Sequence, residues 1–105
     1  MIYLTDERDL KNSEGICVIY FYAQWMHCHA KMKIAFESIN TNIMLYAIDI
    51  DNFSGLRKRF GIISIPAVIV TGDGGEELKR INGMPLTEVL KKTINDIYDT
   101  YNHSK

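Results

Sequence analysis

"ICVIYFYAQWMHCH" (residues 16–29) joins two kinds of sequence, and the point where it changes sets the architecture. Its first eight residues, "ICVIYFYA", are β-branched, aromatic or small. They predict a short strand buried on both faces, the kind found at the centre of a sheet with a layer on each side. The last five, "WMHCH", break that pattern and set a cysteine between two histidines.

From Met32 the apolar spacing changes. Met32, Ala35, Phe36 and Ile39 fall at i, i+3, i+4 and i+7, which predicts one face of a helix over about His29–Asn40. Further on, "IMLYAIDID" (43–51) predicts a second strand, and a short helix over about Ser54–Arg59 is closed by Gly61. "AVIVT" (67–71) predicts a third strand, followed by the turn "GDGG" and an antiparallel partner, "EELKRI" (76–81).

The last helix is expected from about Pro85 to Tyr101, with Leu86, Leu90, Ile94, Ile97 and Tyr101 on one face. "IYLT" at the start predicts an edge strand, with a short helix over about Glu7–Asn12. The order β-α-β-α-β-α-β-β-α gives an α/β fold: a mixed sheet with helices on both faces.

Bulk properties narrow the function classes. The chain has 105 residues, a formal net charge of −1, 47% hydrophobic and 24% charged residues. That suits one globular domain spanning 1–105, with a short flexible tail from about residue 102. Neither the charge balance nor the short "RKR" (57–59) suggests nucleic acid, and the longest apolar run is too short to span a bilayer. "MIYLTDERDL" lacks the basic and apolar regions of a secretory signal, and two cysteines make no disulfide framework, so a cytoplasmic location is expected. Cys17, inside the apolar run, is expected to be an inert strand residue.

Four local patterns in order resemble the thioredoxin family. "VIYFYAQW" (18–25) is similar to its central strand, and "IDIDNFSGLRKRFGI" (48–62) to its next strand, acidic turn and short helix. "GIISIPAVIV" (61–70) resembles the loop in which an Ile-Pro bond is cis before a central strand. Gly83 matches a glycine beside the family's active site. The resemblance covers nearly the whole chain and implies a thioredoxin fold.

The departure falls at the chemistry. Where the family has W-C-x-x-C, this chain has Trp25-Met26-His27-Cys28-His29. Aligned without a gap, Met26 stands at the nucleophilic cysteine and His29 at the resolving one, with Cys28 on a spacer position. Shifting Cys28 into register would rotate the Met32–Ala35–Phe36–Ile39 stripe by roughly 100° toward solvent. The family's buried aspartate and its neighbouring lysine correspond here to Tyr20 and Ala47. With no thiol at position 29 to deprotonate, a buried carboxylate would carry only its desolvation cost.

The resemblance therefore implies a degenerate active site with a rim of Trp25, Met26, His27 and His29, and no conventional dithiol-disulfide exchange. Two functions remain open. Trp25, Ile65, Pro66 and Gly83 match positions lining a groove that holds an extended peptide by strand addition. Alternatively, Cys28 acts as a monothiol, its thiolate favoured by a helix start and by protonated His27 and His29, forming mixed disulfides with a partner or glutathione. Metal binding by the same residues is not expected, because successive residues at a helix start diverge. No cofactor is expected. The expected partner is a protein or peptide, and the chain a monomer or weak dimer.

Overall fold

The computed structural model describes residues 1–11, 15–39 and 43–103. Five strands form one sheet: β1 (Ile2–Tyr3), β2 (Cys17–Tyr22), β3 (Met44–Asp49), β4 (Ala67–Thr71) and β5 (Glu77–Asn82). Their spatial order is β1-β3-β2-β4-β5, with β1, β3 and β2 mutually parallel and β4 antiparallel to both β2 and β5. Four α-helices cover it: α1 (Glu7–Lys11), α2 (His29–Glu37), α3 (Ser54–Arg59) and α4 (Thr87–His103). This is the α/β architecture expected from the sequence.

Central β2 is buried at all six positions, so alternate side chains feed two cores. Val18, Tyr20 and Tyr22 join Leu45, Ala47, Val68 and Val70 under α2 and α4, which add Met32, Phe36, Leu90 and Ile94. Ile19 and Phe21 join Ile48, Ala67 and Ile69 on the other face, against Leu56 of α3 and partly buried Leu10 of α1. Burying each such side chain contributes roughly 1.5–3 kcal/mol, which outweighs the modest helix propensity of segments as short as α1 and α3.

Several boundaries differ from expectation, each for a local reason. The α2 stripe of Met32, Ala35, Phe36 and Ile39 is buried as its spacing requires. The helix nevertheless stops at Glu37, because Ser38 closes it, its N–H donating to the Ile34 carbonyl and its Oγ to Ala35 O. Asn40, the expected end, lies outside the described residues, as does Asn12, the expected end of the first helix.

β3 ends at Asp49 rather than residue 51. The Asp49 carboxylate accepts the Asp51 N–H at 2.9 Å, and its carbonyl accepts from Asn52 and Phe53, which turns the chain. α4 begins at Thr87, two residues beyond Pro85. Leu86 is the residue whose carbonyl accepts the first helical bond, from Leu90 N–H, so its side chain is exposed rather than on the apolar face. α4 continues through His103, past the expected end at Tyr101.

Candidate functional site

Three loops meet at one end of the sheet because of how the strands run. Antiparallel register sets Phe21, near the end of β2, against Ala67, the first residue of β4, which in turn pairs with Asn82 at the end of β5. The segments 23–28, 63–66 and 83–86 therefore emerge together. β3 ends there too, with Tyr22 in register with Asp49.

In the first loop the five residues of the expected rim go different ways. Trp25 is 68% exposed, and its indole N–H donates to Asp51 Oδ2 at 3.2 Å. His27 is exposed. Met26, expected on the rim, is instead only 9% exposed and packs into the core under α2. The Met26 N–H donates to Ala23 O at 3.0 Å, a tight turn that points the apolar side chain inward where hydrophobic burial holds it. Cys28 is the N-cap residue of α2, half-buried against the same core, and its side chain makes no capping hydrogen bond.

His29, the first residue of α2, lies flat on Tyr22, with ring centroids 4.3 Å apart and planes 8° apart. Its Nδ1 is 3.0 Å from the Tyr20 hydroxyl. Tyr3 of β1 meets both Tyr22 and His29 edge-on, and Phe36 packs against Tyr20. In-register Ala47 lies between Tyr3 and Tyr20 on neighbouring strands, and its small side chain leaves room for the tyrosines. The two positions where the thioredoxin pattern has a buried acid and a resolving thiol are thus filled by a hydrogen-bonded tyrosine and histidine.

Electrostatics follow from this packing. Burial pushes the Tyr20 hydroxyl well above the usual tyrosine value, and burial followed by Asp49 raises that of Tyr22. Burial, and then the positive charge of Lys33, holds His29 below the ordinary histidine value, with Asp49 opposing. His29 is consequently neutral at neutral pH, and the expected positive charge from this imidazole beside Cys28 is absent.

The two thiols cannot meet. Cys17 is 3% exposed at the far end of β2, in register with Met44 and Thr71, and its side chain faces the core under α3. Cys28 packs on the opposite face, beyond Tyr22. Cys17 and Tyr22 stand at opposite ends of β2, five residue steps or roughly 16 Å apart, whereas a disulfide needs Cα atoms within about 7 Å. Neither cysteine forms a disulfide among the described residues. Among the described residues no group of three or more His, Cys, Asp and Glu side chains is arranged to hold a metal ion.

In the second and third loops, the Ile65–Pro66 peptide bond is cis, Ile65 is half-buried and Pro66 buried. Gly83 has φ +84°, a region costly for any other residue, and its N–H donates to the Pro66 carbonyl at 2.9 Å. Ile63 is 90% exposed beside this loop.

The thioredoxin family model matches residues 4–96, from the end of β1 to the middle of α4. The chain belongs to the thioredoxin family. A thioredoxin from Chlamydia caviae is 26% identical over 84 residues, covering 77% of this chain and 81% of that protein. Among solved structures, a point-mutant thioredoxin from Halobacterium salinarum superposes with a TM-score of 0.83 at 21% identity, covering 90% of this chain and 88% of that one. Oxidised mitochondrial thioredoxin 3 from Saccharomyces cerevisiae gives 0.78 at 22% identity, covering 91% and 94%. At these identities the structural likeness speaks for the thioredoxin fold alone, while the family match extends across the loops carrying Trp25–His29 and Ile65–Pro66. No helix among the described residues is long and apolar enough to cross a membrane.

Proposed function

We propose that this thioredoxin-family chain serves thiol-redox-related processes as a binding module. It takes an extended segment of a protein partner in the groove between Trp25 and the Ile65–Pro66 and Gly83 loops. The observation that carries this reading is the contrast between the two halves of the site. On the groove side, Gly83 is tied to Pro66 O, and among the described residues no hydrogen bond engages the Ile65 backbone, which supports a role for its polar groups in taking an added strand. On the chemical side, Met26 is buried at the nucleophile's position and Cys28 has no second thiol within reach. A two-cysteine cycle needs that second thiol to release a mixed disulfide.

The test is capture of partners from native extract, with and without reductant, by the wild type and by Trp25→Ala, Ile65→Asp and Cys28→Ser variants. Docking in this groove predicts loss with the first two and retention with the third, regardless of reductant. Partners kept by both groove variants would exclude it.

A second reading has its own support. Cys28 is half-exposed at the N-cap of a nine-residue helix, and its side chain makes no capping hydrogen bond. In that case the Cys28 thiolate attacks a disulfide, forms a mixed disulfide and releases the other sulfur as a thiol. Turnover of a glutathione mixed disulfide that disappears in Cys28→Ser would favour it. Both readings suit a monomer or weak dimer in a reducing cytoplasm.

A further inference from the structure

Tyr20 is fully buried, and among the described residues the only hydrogen-bond partner of its hydroxyl is His29 Nδ1. Burial keeps the phenol protonated, so it has one hydrogen to place and one acceptor within reach. A neutral imidazole with its proton on Nε2 offers a lone pair at Nδ1 and satisfies it. The other tautomer would donate Nδ1–H to the phenol oxygen and leave the hydroxyl hydrogen buried without an acceptor. The geometry therefore assigns the Nε2–H tautomer.

Protonating His29 recreates that mismatch. Both ring nitrogens become donors, and Nδ1–H and the Tyr20 O–H then confront each other inside the core. The groups facing this imidazole are Tyr20 and Tyr22 from β2, Tyr3 from β1, Asp49 from β3 and Lys33 from α2, while Cys28 at the cap acts on Tyr20. Asp49 favours the cation. Against it stand burial, Lys33 and a phenol that requires an acceptor. The simplest relief is for the ring to leave its stack on Tyr22, and His29 is the first residue of α2, directly after its N-cap Cys28.

We propose that the Tyr20–His29 pair is a proton-sensitive latch on the N-terminal turn of α2, seated at neutral pH and released in acid. Release uncovers the half-buried Cys28 and frees the Trp25–Cys28 loop that borders the groove. The latch does not depend on whether that groove or that thiol is used. The sign follows from linkage: a histidine held below its ordinary value stabilises the seated form above that value. The contribution declines as pH falls from there through the folded-state midpoint.

The test is NMR of the imidazole rings and backbone amides of the full chain from about pH 7.5 to about pH 4.5, with His27→Gln to assign the rings. The latch predicts an Nε2–H tautomer for His29 and a midpoint below the ordinary histidine value, shared by the amides of residues 26–30. It also predicts an upward move of that midpoint in Tyr20→Phe, which no longer needs an acceptor. An Nδ1–H tautomer, an ordinary or raised midpoint, or no movement in Tyr20→Phe would each overturn it. Should Tyr20→Phe not fold, hydrogen exchange decides. Protection at the start of α2, corrected for intrinsic rates, should fall several-fold on acidification in the wild type and not in His29→Gln. Equal pH dependence in the two chains would sink the latch.

Discussion

The Trp25 indole N–H donates to Asp51 Oδ2 at 3.2 Å, which ties the loop after β2 to the turn after β3 across the mouth of the proposed groove. Both groups are solvent-exposed, so the bond orients the indole more than it stabilises the fold. We expect Asp51→Ala to cost less than about 1 kcal/mol in urea unfolding. Trp25 fluorescence anisotropy should nonetheless fall as the ring gains freedom. An unchanged anisotropy would mean that the indole is held by packing instead.

Met26 supplies the sharpest contrast with a working thioredoxin-type site. Its side chain fills core volume beneath α2, while neighbouring His27 is exposed. Truncation to alanine removes buried methylenes and leaves a cavity, so Met26→Ala should lose about 2 kcal/mol or more of unfolding free energy. His27→Ala should stay within about 0.5 kcal/mol of the wild type. Similar costs for the two would place Met26 on the rim after all.

The thiols should separate by exposure. Alkylation of the native protein followed by mass spectrometry is expected to modify Cys28 and spare Cys17, which reacts only after unfolding, because Cys17 lies within the sheet. Oxidation should give intermolecular or small-thiol adducts at Cys28. Recovery of a Cys17–Cys28 bridge from folded protein would refute the strand placement on which the loss of dithiol chemistry rests.

The sequence carried most of the fold because its strongest signals are also its largest burial terms. The run from Cys17 to Tyr22 is buried at each position, and the Met32–Ala35–Phe36–Ile39 spacing marks the face of α2 that meets the sheet. Leu86 misled because apolar spacing cannot distinguish a helical residue from the cap that precedes it. Met26 misled because its place in the thioredoxin pattern suggests a rim, whereas the Ala23–Met26 turn decides which way the side chain points. The Tyr20–His29 contact was hidden for a different reason. It joins residues nine apart on different elements, and local periodicity does not report such contacts. A signal did exist: both positions depart from the family pattern, and a buried polar side chain needs a partner. Asp49, expected only as a residue within the second strand, was likewise missed as part of the charge balance around His29 and Tyr22.

Alkali provides a test of the tyrosine packing that is separate from the latch. Burial raises the Tyr20 hydroxyl far above the ordinary phenol value of about 10, and burial with Asp49 raises that of Tyr22. In the unfolded chain both ionise near the ordinary value, whereas in the folded chain both hold their protons to higher pH. For an acid whose folded-state value is raised, the stability contribution is complete below the unfolded value and declines as pH rises beyond it. Unfolding free energy should therefore fall above about pH 10. Absorbance at the phenolate band should show Tyr20 ionising only as the protein unfolds, and Tyr22 later than an ordinary phenol. Tyr20→Phe, where it folds, should flatten the alkaline loss by removing one of the two protons concerned. Smooth ionisation of all six tyrosines near the ordinary value, with the fold intact, would contradict the burial of Tyr20 behind His29.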